Sequence, residues 1–170
     1  MQTNGIIRRI DDLGRIVIPR EYRRLYSIEV GDPMEISAKE GEILIKKVDT
    51  AHALIKNAQK ILPQAKSKIH GALLLFDKRE LLYCFGEKID GLFEKTPLAV
   101  QKCMSELSVV SVDGGVFGDL EGYNATVYPS HSNGDCFGAL THIYEGGESE
   151  TEQALLSLSA SVIAEYMQKY

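Results

Sequence analysis

The chain has 170 residues, 44% hydrophobic and 25% charged, with a net charge of −5; this is the composition of a folded globular protein with room for one ordinary domain or two small ones, and it excludes a disordered chain. The longest uninterrupted apolar run, Ala72 to Phe76, is far short of the roughly 20 residues of a membrane-crossing helix, and the first residues lack the apolar stretch of a secretory leader. Three cysteines (Cys84, Cys103, Cys136), an odd number with no CxxC pair, argue against a disulfide framework or zinc knuckle, so the expected setting is the reduced cytoplasm, away from membranes.

In chain order, Ile6 to Ile10 alternates as a strand does, Asp11-Asp12-Leu13-Gly14 is a turn cluster, and Arg15-Ile16-Val17-Ile18 is a second, β-branched strand. Pro19 stops that strand and is suited to open a short helix running to Tyr26. After the turn Val30-Gly31-Asp32-Pro33, a second hairpin follows, with Met34, Ile36 and Ala38 on one arm, Glu40-Gly41 at the tip, and Ile43 and Ile45 on the return. Gly14 and Gly31 fall where the backbone turns and a side chain would strain it. The i, i+3, i+4 spacing of Ala51, Leu54, Ile55, Ala58, Ile61 and Leu62 predicts a helix over residues 50–67, kinked or ended at Pro63. Two strands over 71–76 and 80–85, a helix over 97–107, a glycine-broken β region over 109–144 and a closing helix over 149–168 complete the pattern. Ser149 with Glu152 three residues on is a capping-box start for that last helix. The fold class is α+β, with an antiparallel sheet carrying helices in the C-terminal part. The expected domains are residues 1–49, a linker helix over 50–67, and residues 68–170.

Charge is distributed unevenly. Six of seven arginines (Arg8, Arg9, Arg15, Arg20, Arg23, Arg24) lie in the first 24 residues, against Asp11, Asp12 and Glu21, whereas from residue 49 onward ten basic residues face sixteen acidic ones. This is the pattern of an anion-binding head on an acidic body, and the planar guanidinium suits phosphate and guanine edges. The plain alternative is a solvated face, salt-bridged to Asp11, Asp12 and Glu21. Fewer than 50 residues seldom bury enough surface to fold alone, so the head is expected to pair with a second copy or, failing that, to pack on its own chain.

The string Gly5-Ile6-Ile7-Arg8-Arg9-Ile10-Asp11-Asp12-Leu13-Gly14-Arg15-Ile16-Val17-Ile18-Pro19 resembles the signature of AbrB-type transition-state regulators. Arg23-Arg24, Val30-Gly31-Asp32, Glu35-Ile36 and Ile43-Leu44-Ile45-Lys46-Lys47 extend the match over residues 3–48 without a gap. The resemblance implies a dimeric swapped-hairpin β-barrel in which two chains share one core. It implies double-stranded DNA as the partner, with Arg8, Arg15, Arg23 and Arg24 in contact, Arg9 at a commonly basic position and Arg20 more peripheral. It also implies a transcriptional regulator, an activator or repressor of late forespore genes in a spore former, that reads groove shape. Ala125-Thr126-Val127-Tyr128-Pro129 and Asp135-Cys136-Phe137-Gly138-Ala139-Leu140 before a long helix are similar to the late strands of GAF domains. That part is expected to make a homotetramer from head dimers, and it leaves an unidentified small-molecule ligand open.

No enzyme, cofactor or metal site is expected. Cys103 on an amphipathic helix and Cys84 in an apolar strand read as inert core thiols. His52, His70, His131 and His142 show no HxxxH or HxH spacing, and Gly114-Gly115 reads as a turn. The rival reading is an antitoxin, with the same head followed by a toxin-blocking tail; such tails are short and unstructured, while residues 68–170 are periodic throughout.

Overall fold

A computed structural model describes residues 5–86 and 89–168; residues 1–4, part of the stretch read above for a leader, lie outside the described residues. The chain forms two compact units, Met1–Val48 and Asp49–Tyr170.

In the first unit, Asp11 organises a tight turn. Its carboxylate oxygen Oδ1 accepts from the Leu13 and Arg15 amides at 3.0 and 2.9 Å, while the Gly14 amide donates to the Asp11 carbonyl at 2.9 Å with Gly14 at φ +74°. Pro19 sits at the N-cap of α1 (Arg20–Leu25), where its missing N–H costs nothing. Strands β1 (Met34–Lys39) and β2 (Glu42–Lys47) pair antiparallel, with Ile36 opposite Ile45 and Ala38 opposite Ile43. Positive φ at both Glu40 and Gly41 gives the two-residue turn whose twist matches such strands.

One expectation fails here. Residues 6–10 and 15–18 carry strand-like patterning but no strand. A strand exists only through its ladder, and no segment of the same chain, among the described residues, pairs with these two. Their apolar side chains stay in solvent as well: Ile7, Ile10 and Val17 are 93%, 68% and 75% exposed.

The second unit is built on a five-stranded antiparallel sheet in the order β4-β3-β7-β6-β5, from β3 (Ala72–Phe76), β4 (Leu81–Phe85), β5 (Val110–Asp113), β6 (Tyr123–Ser132) and β7 (Asp135–Glu145). Helices α2 (Thr50–Lys66) and α4 (Glu150–Met167) bury Leu54, Ala58, Leu62, Leu156 and Ile163 against Leu73, Leu75, Tyr128 and Leu140. Helix α3 (Leu98–Glu106) buries Val100 and Cys103 on Leu74, Phe76, Val127 and Ile143. All five residues of β3 are buried, the mark of a strand with both faces covered.

The helix expected as a linker thus packs into this unit's core. It also runs through Pro63 to Lys66 rather than ending there. The lost hydrogen bond falls in the last turn, and the burial of Leu62 and Ala65 on either side holds that turn in place. Gly114–Val116 is a 3-10 turn whose Gly115 amide donates to Asp113. Helix α4 begins with the full capping box: the Glu152 amide donates to Ser149 Oγ at 3.3 Å and the Ser149 amide to Glu152 Oε2 at 3.0 Å.

Candidate nucleic-acid interface

All six arginines of the first unit are exposed. Arg20, Arg23 and Arg24 are spaced i, i+3, i+4 on α1 and so share one side of it. Arg15 closes the Asp11 turn, with its Nε 2.8 Å from Asp11 Oδ2. The Arg15 amide first, and its guanidinium second, hold the Asp11 carboxyl below the usual carboxylate range. Arg8 and Arg9 lie in the segment leading into the same turn.

The lysines behave differently. Lys46 pairs with Glu35 at 2.9 Å, and Lys47 reaches Asp32 at 2.7 Å and the Ser27 carbonyl at 2.6 Å. Among the described residues, no ion pair holds Arg8, Arg9, Arg20, Arg23 or Arg24. The solvated, salt-bridged alternative therefore applies to Arg15 with Asp11; Asp12 and Glu21 neutralise none of the other five in this way. Five exposed guanidinium groups without a carboxylate form a surface suited to phosphates.

The same unit presents its apolar residues to solvent. Among the described residues, thirteen of the twenty exposed large hydrophobic ones lie before residue 49, among them Val30, Ile36 and Ile43. Neither hydrophobic core contains a residue before Ala53. A hairpin, a helix of six residues and a turn bury too little apolar surface among themselves to form a self-sufficient core.

The thiols are poor nucleophiles. Burial pushes Cys103 up to about 12 and raises Cys84 and Cys136 as well; Cys103 Sγ donates to the Val127 carbonyl at 3.5 Å.

A family model described as "Antidote-toxin recognition MazE, bacterial antitoxin" matches residues 7–51. Stage V sporulation protein T of Bacillus subtilis (strain 168) is 30% identical over 181 residues, spanning 99% of this chain and 100% of that protein. The chain belongs to the stage V sporulation protein T family. Transition state regulatory protein AbrB of the same organism is 45% identical over 47 residues, 28% of this chain and 49% of that protein. The chain is therefore an AbrB-like regulator of transcription, of the DNA-binding kind. Among solved structures, the GAF domain of a two-component sensor histidine kinase from Bacillus halodurans aligns with TM-score 0.55 at 12% identity, covering 68% of this chain and 94% of that one. A type II free methionine-R-sulfoxide reductase from Thermoplasma acidophilum aligns with TM-score 0.54 at 14% identity, covering 72% and 97%. These two likenesses establish a GAF-like fold and carry no activity across. No helix of the described residues is long and apolar enough to cross a membrane.

Proposed function

We propose that this protein regulates sporulation genes by occupying double-stranded DNA as a dimer of its first unit, with Arg8, Arg15, Arg23 and Arg24 on phosphates and groove edges and Arg9 and Arg20 in supporting contact. The observation that carries this reading is the coincidence, in one small unit, of five exposed arginines outside any ion pair with an apolar surface that needs a second copy. The domains it implies are a DNA-binding head over 1–49, the helix over 50–67 and a GAF-like body over 68–170 that joins head dimers into a homotetramer in the cytoplasm. Two linked heads gain avidity through effective concentration without any new contact. A thiol-based activity is set aside because burial pushes the three thiols toward the unreactive protonated form. The antitoxin named by the family model concerns residues 7–51 alone; the folded sheet and helices beyond them are unlike an unstructured toxin-blocking tail.

Fluorescence anisotropy on an AT-rich duplex tests the proposal. Affinity should fall by about 10³-fold or more between about 50 and 200 mM salt, and Arg15→Ala/Arg23→Ala should abolish binding by a protein whose second unit remains folded. Failure of the wild-type protein to bind at low salt would overturn it.

A further inference from the structure

The pairing of β3 with β7 sets Leu73 opposite His142 and so brings His70, three residues before Leu73, alongside the His142 ring, with ring centroids 5.6 Å apart. The first turn of α4 adds Glu152, and the loop between β7 and α4 adds Glu148. A ring nitrogen of each histidine and a carboxylate oxygen of Glu152 all lie within 4.8 Å of one another. His70 Nδ1 is 2.6 Å from Glu152 Oε1, and His142 Nδ1 is 2.5 Å from Glu148 Oε1.

This cluster differs from an ordinary hydrogen-bonded pair. The His142 and Glu148 side chains are 0% and 1% exposed, and that of Glu152 is 11% exposed. Each of these carboxylates faces an imidazole, and Glu152 also accepts from the His70 and Ser149 amides. The His142–Glu148 contact is the arrangement in which a carboxylate fixes the tautomer of a ligating imidazole and turns its other nitrogen, Nε2, toward a metal. Glu148 Oε2 and the Tyr128 hydroxyl are buried near one another, outside good hydrogen-bond geometry, and burial first, then Glu148, raises the Tyr128 phenol. Finally, the His70 side chain is 47% exposed, so the cluster opens to solvent on one side.

We propose that His70 Nδ1, His142 Nε2 and Glu152 Oε1 bind a divalent transition-metal ion of the zinc type, with Glu148 as the outer carboxylate that orients His142. Two imidazoles and one carboxylate are a donor set such ions favour. Without the ion, His142 Nε2 donates to the His70 carbonyl at 2.8 Å and a second proton lies between Nδ1 and Glu148; the ion takes the place of the first proton, and the second stays between Nδ1 and Glu148. Binding therefore releases the first proton. Ligand atoms about 2.0–2.1 Å from zinc stand about 3.4 Å apart in a tetrahedral shell, so the half-exposed His70 ring must turn and the His70 carbonyl, 2.8 Å from His142 Nε2, must move aside. The ion would join the start of β3 to the start of α4 and so lock one end of the GAF-like unit. This site is independent of DNA binding by the first unit.

The test is zinc titration of the full-length, chelator-treated protein, followed by calorimetry and thermal unfolding, with cobalt(II) absorption as a second readout. The expected result is one ion per chain, a raised unfolding midpoint and cobalt d–d bands without the charge-transfer band of a thiolate ligand. His70→Ala, at an exposed ring, should unfold like the metal-free wild type yet gain no stability from zinc. Glu148→Gln should weaken binding by about 10–100-fold. No stoichiometric uptake would overturn the proposal and leave the cluster as a hydrogen-bonded clasp. So would a thiolate band, or equal uptake by His70→Ala.

Discussion

Replacing Ile43 by alanine separates a surface residue from one at the centre of a shared core. Ile43 is 74% exposed in the single chain and faces the same side of the hairpin as Ile36, Ala38 and Ile45. If it stayed in water in the working molecule, the substitution would change stability by no more than about 0.5 kcal/mol. If a second copy covers it, the loss is that of a buried isoleucine, at least about 2 kcal/mol at each site. Two symmetry-related sites then cost about 4 kcal/mol, close to a thousandfold in the opening equilibrium of the head dimer. Hydrogen exchange of the β1 and β2 amides, followed by mass spectrometry, reads that equilibrium directly. Protection there should drop by about a thousandfold at fixed protein concentration and recover as concentration rises. The β3 and β7 amides should be unaffected, because neither core contains a residue before Ala53. Protection of β1 and β2 within about twofold of wild type would refute the shared-core reasoning.

Three further outcomes test the second unit. A Cβ on Gly138 would come within 2.5 Å of Leu54 Cδ2 and 2.6 Å of the Phe76 carbonyl. The leucine can shift but the backbone cannot, so Gly138→Ala should destabilise the unit by about 1–3 kcal/mol in denaturant unfolding. Ser149→Ala removes the N-cap of α4 and should cost about 1 kcal/mol by the same measurement, with an unchanged midpoint counting against the cap. Cys103 should resist iodoacetamide in the native protein at mildly alkaline pH and react once the protein is unfolded; rapid native labelling, seen by mass spectrometry, would contradict the burial that raises its pKa.

Much of the second unit is legible in the sequence because its signals are local. The apolar spacing of Leu54, Ala58 and Leu62 and the Ser149–Glu152 pair place α2 and α4 almost to the residue. What misleads is what other parts of the molecule decide. Pro63 reads as a kink or an end inside the helix expected over 50–67, and the packing of Leu62 and Ala65 carries the helix past it to Lys66. Residues 6–10 and 15–18 read as strands, but a strand needs a partner, and the AbrB-like resemblance puts that partner in a second copy. The six arginines are visible from composition alone; that Lys46 and Lys47 are occupied by Glu35 and Asp32, while five arginines are outside any ion pair, is not. The histidine cluster was hidden for the same reason. Spacing rules for metal ligands look within one element, whereas His70, His142 and Glu152 meet only through the β3–β7 register and the start of α4.

The salt dependence of DNA binding tests the central claim most directly. Four arginines from each chain of a head dimer on eight phosphates give a log–log slope of roughly −7, and removing four contacts with Arg23→Ala/Arg24→Ala should flatten it to about −3.6. A slope near zero for the wild type, or one that the double substitution leaves unchanged, would contradict the assignment of this arginine surface to DNA.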